Sequence, residues 1–212
     1  EYITAMRTAA GAILSVKYLA REDRKSIAIV GAGVLGHAHW KMIGTLVGIE
    51  QIWIASKDVS HAQALAALDS RARATDSVQE AVSQADVVCL CTSSAEPVIQ
   101  TEWVKQGAHI TSVGYRPPGG ELPRDLIERS HLFVESKVAF HAPPVGCSEL
   151  QGLSPEFGTE LGELLLGQKP GRKNDTEITI YKSMGHAMED LVAANLVYDH
   201  AVKQGIGSEI HL

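Results

Sequence analysis

Positive charge is in short supply in this sequence: 19 Lys and Arg stand against 25 Asp and Glu, a formal net charge of −6. That balance argues against general binding to nucleic acid or to an anionic membrane, and leaves room for a local basic pocket. No apolar run is long enough to cross a bilayer and no signal-peptide pattern is visible, so the expected location is the cytoplasm. The three cysteines, Cys89, Cys91 and Cys147, form no CxxC pair of zinc-binding type. Cys89 and Cys91 stand two apart in an apolar run and are expected as small core residues. Nine histidines form no HExxH motif; His37 and His39, two apart, cannot share a helix face, and no metal site is expected. Internal repeats and low-complexity tracts are also missing. The chain opens Glu1-Tyr2-Ile3-Thr4, without methionine and directly in an amphipathic pattern, which reads as a start within a structural element.

What is present is an alternation of strand and helix signals. Residues 3–20 place Ile3, Met6, Ala9, Ile13, Val16 and Leu19 on one helical stripe. Ser26-Ile27-Ala28-Ile29-Val30 is a short strand that ends at a glycine cluster, a helix follows, and Gln51-Ile52-Trp53-Ile54 closes a βαβ unit. A helix over 59–69 comes next, and Ser77 with Glu80 predicts a capping box. Strands are expected at 86–91, 108–113 and 131–135, the last of these closing the alternation. After residue 140 a Pro- and Gly-rich loop gives way to a helix starting at Ser154-Pro155, a turn-rich connector, a strand at 176–181 and a long helix over 184–204. The expected fold class is therefore α/β: a Rossmann-type, doubly wound parallel sheet with helices on both faces. The division expected is a leading helix (1–22), a dinucleotide-binding domain (23–140) and a C-terminal segment (141–212) that packs back on the sheet.

The phosphate loop carries the chemistry. Gly31-Ala32-Gly33-Val34-Leu35-Gly36 follows a strand and opens a helix, the context in which GxGxxG binds a dinucleotide. Gly31 permits the turn, Gly33 the approach of a pyrophosphate, and Gly36 close packing of helix on strand. NAD-specific sites place an acid at the end of the second strand; here Ser56-Lys57 stands there, so NADP(H) is favoured over NAD(H), unless a register shift brings Asp58 to the ribose. Thr92-Ser93-Ser94 ends the next strand at its carboxyl edge and is read either as contacting the nicotinamide ribose or as a helix cap. The loop from Val113 to Leu122, with Arg116, is read either as substrate-facing or as a plain turn.

Taken together, several ordered blocks resemble the ornithine cyclodeaminase/mu-crystallin family of NAD(P)-dependent proteins. They are Thr4 to Ala10, the glycine loop, Thr92 to Pro97, Trp103 to His109, Tyr115 to Leu122, Glu160 to Glu163, Gly167 to Arg172, and Tyr181 to Gly185 with Glu189-Asp190. The resemblance implies that Arg7 reaches the substrate carboxylate and the cofactor. Val34 and Leu35 would lie over the pyrophosphate; Thr92, Ser112, Val113 and Ser183 would contact the cofactor, and Met184 would line the substrate side. Ser56-Lys57 is similar to the Asn-Arg pair of NADPH-binding mu-crystallins. The ornithine cyclodeaminase loop Gly-Asp-x-Pro-Gly-Lys is here Gly114-Tyr115-Arg116-Pro117-Pro118-Gly119-Gly120, without its catalytic aspartate or its lysine, and is closer to the mu-crystallin and imine-reductase branch.

What the resemblance implies is an oxidoreductase of amino-acid metabolism, reducing the C=N bond of a cyclic imino acid or ketimine with NAD(P)H. Arg7 would clamp the substrate carboxylate, and Arg116 would approach it from the opposite loop. Ornithine cyclodeamination, an alanine-type dehydrogenase and an NADPH-dependent binding protein, as mu-crystallin is for thyroid hormone, are the alternatives. The expected partners are a small amino-acid-derived substrate and, for the full-length protein, a second copy in a homodimer, with neither nucleic acid nor membrane. The family's upstream segment, with a substrate-binding lysine, and part of a second, substrate and dimerisation domain are expected to be missing from the chain.

Overall fold

In the computed structural model, which describes residues 1–208 and 210, the chain forms eight strands and seven α-helices. The strands are β1 (Ser26–Val30), β2 (Gln51–Ala55), β3 (Ala72–Thr75), β4 (Val87–Leu90), β5 (His109–Ser112), β6 (His131–Val134), β7 (Gly158–Glu160) and β8 (Thr179–Lys182). The helices are α1 (Tyr2–Leu19), α2 (Val34–Ile43), α3 (Val59–Ala66), α4 (Val78–Gln84), α5 (Arg124–Glu128), α6 (Leu161–Leu165) and α7 (Ala187–Gln204). All strands pair in parallel in one sheet of order β3-β2-β1-β4-β5-β8-β6-β7. This is the doubly wound α/β architecture that the strand and helix alternation implies.

Both faces are covered, so each strand feeds two cores. Ile27 and Ile29 of β1 join Val16 of α1, Ile43 of α2 and Leu65 of α3 on one side. Ala28 and Val30 join Val82 of α4, Leu126 of α5 and Ile180 of β8 on the other. Period-two side chains, apolar at every position, are the signature of a strand buried on both faces. Each large aliphatic side chain enclosed this way contributes roughly 1.5–3 kcal/mol.

Three local expectations need correction. The strand at 131–135 does not close the alternation: β7 follows just after the expected helix start, and the expected strand at 176–181, β8, inserts between β5 and β6. Serine and proline at 154–155 start a single 3₁₀ turn over Pro155–Phe157, capped by Ser154, and not a full helix. The capping box at Ser77 is half formed. Its hydroxyl accepts from the Glu80 N–H at 3.1 Å, but the Glu80 carboxylate turns back to accept from the Thr75 hydroxyl.

Helix α7 is the exception to good burial. His186 and Glu189 cap its start reciprocally and Gly205, at φ +64°, closes its end. It leans on α1, yet none of its residues is buried, and Val192, Leu196, Val197 and Tyr198 are each more than half exposed.

Candidate functional site

The connections reverse direction between β1 and β4, and the loops after these two strands face each other there, at the crevice where doubly wound sheets bind ligands. Gly31 continues the ladder through its N–H to the Ala55 carbonyl (2.8 Å) and turns at φ +102°. A Cβ at Gly31 would lie 2.7 Å from the Cys91 carbonyl oxygen, so a side chain there would separate β1 from β4. At Gly36 a Cβ would lie 2.1 Å from the Gly31 carbonyl oxygen: helix α2 rests directly on its own loop. Gly33, the N-cap of α2, is different: a methyl added there would meet nothing within 4 Å, and no side chain caps the helix. Free N–H groups at the positive end of a helix, beside open space, suit a pyrophosphate. Val34 stands exposed over this point, while Leu35 is half-buried against α1.

A cavity of about 600 Å³ adjoins the loop, lined among others by Gly31, Ser56, Lys57, Thr92, Glu96 and Arg116. Ser56 and Lys57 thus enter it from the end of β2. Asp58 does not take part: it is the N-cap of α3, with its carboxylate accepting from the Ser60 N–H (2.9 Å) and hydroxyl (2.6 Å). The Thr92-Ser93-Ser94 segment caps a turn, not a helix, with the Ser94 N–H donating to the Thr92 hydroxyl at 3.2 Å. The loop containing Arg116 sits down on that turn; a Cβ at Gly119 would lie 1.9 Å from the Ala95 carbonyl oxygen. Arg116 donates to the Ser93 carbonyl at 3.3 Å. It therefore lines the cavity of Ser56 and Lys57, whereas Arg7 lines a separate groove between α1 and α7. The structure does not bring the two arginines together.

Arg7 is already paired, with Glu189 Oε2 at 2.9 Å and Asp190 Oδ1 at 3.3 Å, at the foot of α7. Its guanidinium lies against Gly185, where a Cβ would come within 2.7 Å of it. Beside it, Ser183 donates its hydroxyl to Glu135 Oε2 (2.8 Å) and Met184 its N–H to Glu135 Oε1 (2.9 Å). Burial, with the Glu189 charge nearby, raises the pKa of Glu135.

Ser112 and Val113 are buried. The Ser112 hydroxyl accepts from Lys182 Nζ (3.0 Å) and donates to Glu121 Oε2 (3.0 Å). Glu121, Lys182 and Glu149 form a buried network that sequence reasoning assigned no role, although Glu121 and Lys182 stand within the resembling blocks. Among the described residues no group of three or more His, Cys, Asp or Glu is placed to hold a metal. No helix of the described residues is long and apolar enough to cross a membrane.

Fold and site together define a Rossmann-type α/β protein with a GxGxxG loop at its β1/β4 crevice. Comparison with known proteins narrows this. The sequence pattern of the ornithine cyclodeaminase/mu-crystallin family matches residues 1–205, and the chain belongs to that family. It is 38% identical over 199 residues to the ketimine reductase mu-crystallin of Rattus norvegicus, covering 93% of the chain and 62% of that relative. The chain thus spans a little under two thirds of that protein's length. Among solved structures, the Thermococcus litoralis Δ1-pyrroline-2-carboxylate reductase in complex with NADH and L-proline superposes with a TM-score of 0.89. It is 32% identical, over 99% of this chain and 68% of that one. An archaeal alanine dehydrogenase dimer with bound NAD gives a TM-score of 0.84 at 27% identity, over 100% of this chain and 68% of that one.

Proposed function

We propose that the chain carries the cofactor-binding core of an NAD(P)H-dependent imine reductase, acting on the C=N bond of a cyclic imino acid or ketimine. The observation that carries this is the open Gly33 cradle at the β1/β4 crevice, beside a cavity of about 600 Å³, in a chain of a family containing ketimine and pyrroline-2-carboxylate reductases. The bound nicotinamide would supply hydride; the protein's residues bind, orient and exclude water. Gly33, Val34 and Leu35 hold the pyrophosphate on a loop shaped by the turn at Gly31 and the packing of Gly36, and Thr92 and Val113 border the second nucleotide. Ser112 and Ser183 act from beneath, since both hydroxyls are committed to Glu121 and Glu135. Arg7 takes the substrate carboxylate in exchange for Glu189 and Asp190, a bidentate task suited to guanidinium, with Met184 beside it.

NADP(H) is the favoured cofactor. The end of β2 offers Ser56 and Lys57 without an acid, Asp58 is held by Ser60, and Arg116 adds a second cation to the same cavity. The full-length protein is a cytoplasmic homodimer; the exposed apolar stripe of α7 and the dimeric state of the archaeal alanine dehydrogenase support the association. Sedimentation of the parent and of Leu196→Asp checks this, with the variant expected to shift toward monomer.

The decisive assay is oxidation of NADPH by the full-length protein with Δ1-pyrroline-2-carboxylate or Δ1-piperideine-2-carboxylate. Turnover is expected. Absence of turnover with every imine and every amine–oxoacid pair tried would sink the reading, and release of proline and ammonia from ornithine would replace it with a cyclodeaminase.

A further inference from the structure

The carboxyl ends of β4, β5 and β8 are held together by buried charge. Glu121 is fully buried and receives four donors: the Thr92 N–H (2.5 Å) and hydroxyl (2.7 Å), the Ser112 hydroxyl (3.0 Å) and the Gly114 N–H (2.7 Å). Each of its oxygens is met by one backbone N–H and one hydroxyl, a set of partners that suits a carboxylate. Lys182, also fully buried, pairs with Glu149 Oε2 at 2.7 Å and donates to the Ser112 hydroxyl (3.0 Å) and the Gly114 carbonyl (2.8 Å). Burial works against the charged form of Lys182, but the carboxylates of Glu149 and Glu121 outweigh it and hold its pKa above the ordinary value. Cys147 donates to Glu149 at 2.9 Å and stays a neutral thiol, its pKa pushed up to about 12 by burial.

The resulting chain runs Glu149, Lys182, Ser112, Glu121: two carboxylates and one ammonium, with a surplus of one negative charge. Stability does not explain such a surplus, because apolar residues of similar volume commonly serve a fold as well as a buried ion pair does. Its position does. Glu121 lies directly under the main chain of Thr92 and Gly114, the strand ends that border the second-nucleotide half of the crevice. A nicotinamide ring is cationic when oxidised and neutral when reduced. A fixed charge shielded from water therefore distinguishes the two states.

We propose that Glu121 is an electrostatic positioning residue whose buried carboxylate, backed by the Ser112–Lys182–Glu149 chain, favours the oxidised over the reduced form of the bound cofactor and so favours hydride donation. This rests on the dinucleotide reading of the cavity. The test is binding, not turnover: dissociation constants of NADPH and NADP⁺ measured by fluorescence titration and calorimetry on the parent chain and its variants. Glu121→Gln is expected to raise the ratio of the NADP⁺ to the NADPH dissociation constant about ten-fold, about 1.4 kcal/mol. Glu149→Gln, which cancels the surplus from further away, is expected to move the ratio the same way by less. It decides the matter if Glu121→Gln does not fold. The double variant Lys182→Met with Glu149→Gln keeps one surplus negative charge and is expected to keep the parent ratio. A parent that binds both forms, with ratios unchanged in the two glutamine variants, would overturn the role of Glu121 alone. A parent that binds neither form would overturn the dinucleotide reading with it.

Discussion

Gly33 and Gly36 stand three positions apart in one motif, and their surroundings separate a binding role from a packing role. A methyl at Gly33 meets nothing in the protein, and its φ of −84° suits alanine. Gly33→Ala is therefore expected to leave the melting temperature within about 2 °C and to weaken NAD(P)H binding about ten-fold or more, because the methyl fills the space the pyrophosphate needs. Gly36→Ala drives a methyl into the Gly31 carbonyl and is expected to lose both, with about 1–3 kcal/mol of stability gone. Thermal melts and cofactor titrations on the same two variants separate the roles. Spacing within the motif was enough to single out the two glycines whose surroundings differ in this way. For Arg7 and Arg116 it supplied the residues without their surroundings, because Glu189 and Asp190 lie 182 and 183 positions from Arg7 in the chain.

At the level of elements, the proposed preference for NADP(H) is tested at the end of β2. Ser56→Asp is expected to shift preference from NADPH toward NADH by about ten-fold or more, since a carboxylate repels a 2′-phosphate and accepts from ribose hydroxyls. Lys57→Ala is expected to weaken NADPH while sparing NADH, and the ratio of KM values reads both. A parent that already prefers NADH would remove the basis of this prediction. The strands β1, β2, β4, β5 and β6 were legible because buried parallel strands are short, largely apolar runs rich in β-branched residues. Strand β3, with the sequence Ala72-Arg73-Ala74-Thr75, was not: two alanines and an arginine on a sheet edge carry little strand signal. Strand β8 was legible as a strand but not in its place. Its insertion between β5 and β6 brings Lys182 to Ser112, and Arg172, which reads as a turn residue, to the carbonyls of Leu19 and Ala108.

The molecule as a whole carries a pH dependence in its cores. His39 and His109 are fully buried, and burial lowers their pKa values from 6.5 to about 4 and about 3. Unfolding lets both take up protons below pH 6.5 while the folded chain stays neutral at these positions. Stability from them is thus present above pH 6.5 and is lost as pH falls toward 4 and then 3. Between about pH 7 and pH 5 each is expected to cost about 2 kcal/mol. Denaturant midpoints across that range check the loss, and a His39→Gln variant whose profile stays as steep as the parent's would contradict His39's share.

The GxGxxG loop, the strand and helix alternation, the lack of an acid at Ser56 and the family blocks were determined by the sequence by itself. Each of these is local: a periodicity, a turn, or an ordered motif written in consecutive residues. The tertiary structure alone decided the order of strands, the separation of Arg116 from Arg7, the capping task of Asp58 and the buried chain of Glu121, Lys182 and Glu149. These depend on which distant segments meet at the carboxyl edge of the sheet. The stability of a buried charge is a property of that meeting, because its partners and its distance from water exist only once the chain has folded.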